Sequence, residues 1–426
     1  MISIGNNQRN FVRDGKPFFY LADTCWSAFT NISEEEWEYY LTYRRQQGFN
    51  VLQINILPQW DACATPYNCY PLPTKDSVRF EFTKWNDEYF EHARRMCEKA
   101  IKKGFIPALV VLWCNYVPGT WASAKMPENI IPYEFLDSYL QRVHETFSAL
   151  EPIYIISGDS DFTEESNRYY RKALDYLQAR NHKSLYTFHI KGRYTELPEE
   201  FRNKVDFYMY QSGHNAQPEN IKMPYYLAEE FYKFTPKRPV MNAEPCYEQM
   251  GFSRNMYGRF WQSDIRKAAW QSILSGAGAG IAYGAAGIYG WEKTGYRAPV
   301  SSEGFDTPNP WNLALHYPGA WDYGYISYLM KLYGFVSLIP KQELLATEKE
   351  GMRCAVCKEA GCIVIYVPFN TTVRLKGDFT DKEIHMIDMR EKNVCVYCET
   401  VYENGITKIG LHMFEGDALL IIKEKL

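Results

Sequence analysis

Eight short apolar runs, most of them followed by a helix-patterned segment, constrain this chain more than any other feature. Strands separated by helices are laid down parallel, because a crossover of that length returns the chain to the same edge of the sheet. The runs are Phe18 to Ala22, Val51 to Ile56, Ile106 to Leu112, Ile153 to Ser157, Leu185 to His189, Phe207 to Gln211, Pro239 to Ala243 and Gly278 to Tyr283. The first helical segment, SEEEWEYYLTYRRQQG, offers Ser33 as N-cap, Glu36 to complete a capping box and Gly48 to end it. Further helical patterns lie near residues 86–103, 132–150, 163–180, 225–234, 257–275 and 321–333. In order, these units predict an α/β fold, a (β/α)8 TIM barrel over residues 1–340.

The helical pattern stops there. Residues 341–426 carry short alternating runs (MRCAVCKE, CIVIYVPF, TVRLKG, VCVYCETVY, TKIGLHM, ALLIIK) separated by turn residues. That spacing predicts a small antiparallel β-sandwich domain. The length of 426 residues suits a barrel with such an appendix. A net charge of -4 without a basic stripe argues against nucleic acid as a partner. No apolar stretch approaches a membrane span. The opening MISIGNNQRNFVRDGKPFF lacks the pattern of a secretory signal, and eleven scattered Cys suit reduced thiols, so a cytoplasmic location is expected.

A barrel of this kind places its chemistry at the carboxyl ends of the strands. Reading what stands there gives Asp23 and Trp26 after the first strand, Asn55, Gln59 and Trp60 at the second, and Trp113 after the third. Asp159 and Asp161 follow the fourth, and His189 ends the fifth. Gln211 and His214 come from the sixth, Asn242 and Glu244 from the seventh, and Tyr283, Tyr289 and Trp291 from the eighth. Amides, carboxylates and flat rings are the groups that hold polyhydroxylated ligands. Glycosidic cleavage needs two carboxyl groups, one to protonate the departing oxygen and one to attack the anomeric carbon or activate water. Asp159 and Glu244 supply such a pair as the catalytic residues, and the acid of the pair must hold its proton near neutral pH.

The DTCW after the first strand, the strand-plus-GD at Ile153 to Asp159, and the NAEPCYE at Asn242 to Glu248 resemble the apiosidase-like glycoside hydrolase family. Members of that family often carry a C-terminal sandwich module named by analogy as collagen-binding. The resemblance spans most of residues 5 to 425 and implies Glu244 as nucleophile and Asp159 as acid/base. Here the acid/base segment reads GDSDF, which sets a second aspartate, Asp161, beside the first.

Structural roles compete with chemical ones at several positions. Asp161 has the spacing of an N-cap three residues before Glu164. Asp23 suits backbone bonding in a loop as well as substrate hydroxyls. Trp26, Trp60, Trp113 and Trp291 suit packing as well as sugar platforms. The C-x2-C pairs Cys354/Cys357 and Cys395/Cys398 lie in alternating strand patterns, where residues i and i+3 face opposite ways, so zinc is not expected there. No cofactor is expected. The preferred reading is an exo-acting retaining glycosidase on plant-type oligosaccharides, its partner a glycoside or oligosaccharide substrate. Asp23, Trp26, Asn55, Trp113, Asp161, His189, Gln211, Asn242, Tyr283 and Trp291 are its expected substrate-binding residues. The alternatives are a metal-dependent barrel hydrolase using His189 and His214, and a non-catalytic carbohydrate-binding barrel.

Overall fold

The computed structural model describes residues 2–61, 67, 69–252, 257–296, 307–346, 350–396 and 399–425. Eight parallel strands form a nearly closed barrel: β1 (Tyr20–Thr24), β2 (Val51–Asn55), β3 (Ile106–Trp113), β4 (Ile153–Gly158), β5 (Tyr186–Thr187), β6 (Tyr208–Tyr210), β7 (Val240–Asn242) and β8 (Gly280–Tyr283). The pairing runs β5-β4-β3-β2-β1-β8-β7-β6. Single bonds rather than a ladder close the gap between β5 and β6. The Asp206 N–H donates to the Tyr186 carbonyl at 2.9 Å, and the Tyr186 N–H donates to the Asp206 carboxylate at 2.7 Å. The Thr187 hydroxyl reaches the Phe207 carbonyl at 2.8 Å.

Every residue of these strands is buried. That is why they read as continuous apolar runs rather than as alternation. Between them, helices cover the outside. Glu34–Gln46 begins with the predicted capping box, since Ser33 accepts from the Glu36 N–H while the Glu36 carboxylate accepts from the Ser33 N–H. Asp87–Lys102, Leu136–Phe147, Glu164–Gln178, Met223–Tyr232, Gln262–Leu274 and Gly319–Leu332 follow. After β5 there is only the four-residue Glu199–Arg202.

The first strand differs from its expectation. It runs Tyr20–Thr24, not Phe18 to Ala22, because Lys16–Phe18 pairs instead with Phe11–Arg13 in a separate small N-terminal sheet. Asp23 is therefore a strand residue, not a loop residue.

The tail is antiparallel. One sheet joins Ile339–Pro340, Arg353–Cys357, Cys362–Val367, Ala418–Lys423, Glu383–Asp388 and Val394–Cys395. The other joins Val373–Lys376, Ile406–Ile409 and Thr400–Glu403. Alternation splits the larger sheet between two cores. Cys354, Ile365, Leu420 and Ile422 face the smaller sheet, while Ala355, Cys357, Val364 and Ile421 join the barrel's core. Cys354 and Cys357 thus face opposite ways, as the strand pattern requires, and Cys398 lies outside the described residues. The seam to the barrel carries a buried ionic cluster. Arg266, from Gln262–Leu274, bonds Asp417 at 2.9 and 2.5 Å and Asp322 at 2.7 Å. All nine described cysteines are free thiols.

Candidate active site

Glu244 stands two residues past the end of β7, and its carboxylate is almost fully buried. One oxygen accepts from His214 Nε2 at 2.8 Å and from the Gln211 side-chain amide at 3.1 Å. The other lies 3.3 Å from His189 Nε2. The remaining imidazole nitrogens settle the tautomers. His189 Nδ1 accepts the Asp159 N–H at 3.0 Å, and His214 Nδ1 accepts the Tyr247 N–H at 3.3 Å. Each Nδ1 lone pair is used, so each ring carries its proton on Nε2, facing the glutamate. Burial pushes the Glu244 carboxyl up, but the adjacent His189 and His214 imidazoles outweigh it, by hydrogen bonding and charge, and bring the group down to about 2. The same tautomers count against the metal-hydrolase reading. A ligating imidazole offers its bare nitrogen to the metal and donates from the other, whereas here the bare nitrogens accept backbone N–H groups.

Asp159 stands on the opposite rim, one residue beyond β4, with φ of +49°. This left-handed conformation is uncommon for a residue with a side chain. Both of its peptide groups are held: the N–H by His189, and the carbonyl by the Trp121 indole N–H at 2.8 Å. His189 therefore touches both members of the carboxyl pair. It is fixed by its own N–H to the Ser157 carbonyl at 3.2 Å and by the Ser157 hydroxyl on its carbonyl at 2.8 Å. The glycine of the GD pair has a steric cause, since a Cβ on Gly158 would sit 2.0 Å from the Trp113 ring.

The two carboxyl groups line one cavity of about 310 Å³, walled by Trp26, Trp60, Trp113 and Trp121, with Gln59, Gln211, His214 and Tyr247 among its polar groups. The Trp26 and Trp113 rings lie 5.3 Å apart, and both pack against His189. The apiosidase-like catalytic domain matches residues 5–337 of this chain. The chain belongs to the apiosidase-like family. It is a glycoside hydrolase by class. Among solved structures, a glycoside hydrolase is similar at 20% identity with a TM-score of 0.81, over 100% of this chain and 97% of its own. A family 5 glycoside hydrolase from Bacteroides vulgatus is similar at 20% identity with a TM-score of 0.82, over 100% of this chain and 92% of its own. No curated protein matches the sequence.

Within this apiosidase-like barrel, several residues expected in the pocket stand elsewhere. Trp26, Trp113 and Gln211 line the cavity, and His189 lies just behind Glu244. Asp23 does not line it. Its side chain faces the helix layer, where it accepts from Arg44 Nε at 2.5 Å and from the Tyr40 hydroxyl at 2.7 Å. Tyr283 also faces that layer and donates to Glu248 at 2.7 Å. Glu248 accepts the Gly319 N–H as well, and its burial raises the carboxyl to about 7. Trp291 is fully buried, stacked on Trp311 at 4.5 Å with its indole N–H on Glu36. Asn242 braces the Glu244 loop from beneath, donating to Ser212 and Ser272 and accepting the Glu244 N–H at 3.3 Å. Asn55 is buried at the end of β2, outside the cavity wall.

Asp161 is neither an N-cap nor a wall residue. Thr163 caps Glu164–Gln178, with Ser166 in a capping box. Asp161 accepts the Trp121 N–H at 3.1 Å and pairs with Lys191 at 3.0 Å. The cap lies two residues later than the Asp161 spacing suggested, because Thr163 takes it.

The Asp23–Arg44 pair has a measurable consequence. Arg44→Met should destabilise the fold by about 3–5 kcal/mol in chemical denaturation, because it leaves the Asp23 charge buried with only the Tyr40 hydroxyl to offset it. Arg44→Lys should recover little of that, since a point charge cannot also reach Gln47 and the Leu315 carbonyl.

Several cavity residues escaped the strand-end reading, Asp61, Trp121, Lys191, Arg193, Tyr247 and Met250 among them. Tyr247 lies three residues past Glu244, its hydroxyl accepting the Trp26 indole N–H at 3.1 Å. Burial and the Glu244 charge push its phenol well above the ordinary value, so it stays protonated. Gly284 makes room for this ring, since a Cβ there would fall 2.0 Å from it. Lys191 and Arg193 come from the loop after β5. The NAEPCYE motif that carries Glu244 also contains Tyr247, and was the available signal for it. Nothing in the sequence marks the two cations.

Proposed function

We propose that this chain is a retaining, exo-acting glycosidase of plant-type oligosaccharides, with Glu244 as nucleophile and Asp159 as general acid/base. The observation that carries this reading is the state of Glu244. Two imidazoles and an amide surround its carboxylate in a cavity that a second carboxyl group also lines. In the first step a Glu244 oxygen attacks the anomeric carbon as the bond to the leaving oxygen breaks, and the Asp159 proton passes to that oxygen. In the second, Asp159 takes a proton from water, the water oxygen attacks the same carbon, and Glu244 is released. A volume near the lower end for ligand sites suits one or two sugar rings at a chain end rather than a long polymer. Trp26 and Trp113 offer ring faces for the C–H side of the sugar, and Gln59 and Gln211 offer amides for its hydroxyls.

We assign catalysis to residues 1–340, which carry the cavity lined by Asp159 and Glu244, and a supporting role to residues 341–426. A reducing compartment such as the cytoplasm suits the nine described free thiols. The test is a panel of aryl glycosides and plant pectic oligosaccharides, run with wild type and Glu244→Gln side by side. Turnover by wild type alone supports the reading, and equal turnover by both overturns it.

The histidine clamp predicts a pH effect. Glu244 titrates near 2 rather than at its ordinary 4.5, so its charge persists well into acid. The stability those bonds confer is present above 4.5 and fades as pH falls toward 2. Removing one donor raises the carboxyl while its burial remains. His214→Ala should therefore lose kcat/KM progressively below about pH 5, where wild type still holds its plateau. A pH–rate profile from 3 to 8 checks this, and an unchanged acid limb would refute the clamp.

A further inference from the structure

We propose that Trp121 forms the subsite for the leaving sugar and, through the same ring, is the positioning residue for Asp159. This rests on the glycosidase reading above. An acid that protonates the departing oxygen must lie beside the leaving group, so that group occupies the Asp159 side of the cavity. Trp60 and Trp121 form that corner, with ring centroids 6.3 Å apart at 71°. Trp121 is only partly buried there. The Lys125 ammonium lies 5.0 Å from the Trp121 ring centroid and 5.6 Å from that of Trp60, and Asp61 and Lys191 line the same cavity. Flat rings rimmed by charged groups suit a polyhydroxylated leaving group, with its C–H face on a ring and its hydroxyls on the rim, better than an apolar aglycone.

The positioning role follows from the backbone. Asp159 is held in a left-handed conformation by one bond on each side, from its N–H to His189 and from the Trp121 indole to its carbonyl. Such a conformation persists only where the surroundings over-determine it. Trp121 is itself anchored. Its N–H reaches Asp161, Thr120 bonds the Cys114 carbonyl at 2.6 Å, and Gly119 packs so close to the Thr163 hydroxyl that a Cβ would lie 2.5 Å from it. One residue therefore joins occupancy of the leaving-group subsite to the aim of the acid.

The test uses Trp121→Phe, which keeps a ring and loses the N–H, and Trp121→Ala, which loses both, with Asp159→Ala as reference. Each is assayed on the 2,4-dinitrophenyl glycoside of the sugar the wild type cleaves fastest in a panel, and on an oligosaccharide ending in that sugar. Trp121→Phe should lose about 100-fold in kcat/KM, which reports glycosylation, on the oligosaccharide and stay within about 3-fold in kcat/KM on the dinitrophenyl glycoside, whose leaving group needs no proton. Its alkaline limb of kcat/KM should also move. Trp121→Ala should add a rise of about 10-fold in KM for the oligosaccharide alone. Equal losses on both substrates, or an unchanged oligosaccharide KM in Trp121→Ala, would overturn the proposal. If Asp159→Ala itself loses kcat/KM equally on both substrates, or wild type cleaves nothing in the panel, the underlying reading falls and this proposal with it. The expected pattern in Asp159→Ala with the overturning pattern in the Trp121 variants removes only the proposal.

Discussion

Glu244→Ala should abolish turnover of every glycoside, by about 10⁴-fold or more, whatever the leaving group. No other carboxylate of the cavity is held ionised by two imidazoles, so nothing can replace it at the anomeric carbon. The loss should appear in kcat as well as in kcat/KM, because the bond Glu244 makes exists only in the transition state and the intermediate. Glu244→Gln should fail as completely while keeping the shape of the cavity, and should still bind substrate. The fold should tolerate both changes, since the clamp donors can turn to water. Wild-type behaviour of Glu244→Ala on an activated aryl glycoside would remove the nucleophile role. Partial activity on that substrate alone would point to a water-mediated route.

The barrel was legible in the sequence because strands buried on both faces are written as unbroken apolar runs, and the helices between them carry caps. Ser33 with Glu36 is the clearest of these. What could not be read was which way a strand-end side chain points. Asp23 and Tyr283 sit at strand ends as the sequence suggested, but alternation turns both outward to Arg44, Glu248 and the helix layer. A two-residue shift in the first strand, caused by Lys16–Phe18 pairing elsewhere, was enough to hide this for Asp23. Trp291 looked like a platform because it lies beyond the last strand, yet Trp311, distant from any strand end, stacks on it. Conversely, Trp121 reaches the cavity only because a loop folds back over β4. That return depends on Gly119 against Thr163 and on Asp161, none of which has a periodic signature. That Asp159 and Glu244 would line one cavity was visible because it needs only strand order; several groups around them come from loops.

Asp159→Ala should fail in a different and more informative way than Glu244→Ala. A leaving group that departs without protonation needs no acid, so 2,4-dinitrophenyl glycosides should still form the covalent intermediate at a rate near that of wild type. Substrates with a sugar leaving group should slow by about 10²–10⁴-fold, the usual worth of general acid catalysis. Deglycosylation also needs Asp159, now as the base that activates water. The intermediate should therefore accumulate and appear as a burst of dinitrophenol followed by slow turnover. Azide needs no base and is small enough to enter the space the side chain leaves. It should restore turnover and yield a glycosyl azide of retained configuration. Asp161→Ala is the control. It breaks the pair with Lys191 and the bond to the Trp121 N–H, so it should slow the enzyme without giving the burst or the azide rescue. The burst and rescue in Asp161→Ala but not in Asp159→Ala would move the acid by two residues. Inverted configuration in the first-formed sugar by proton NMR would be more radical. It would require the carboxyl groups to act across a water molecule at about 6.5–9.5 Å rather than the 5–5.5 Å of a retaining pair, and Glu244 would become a base instead of a nucleophile.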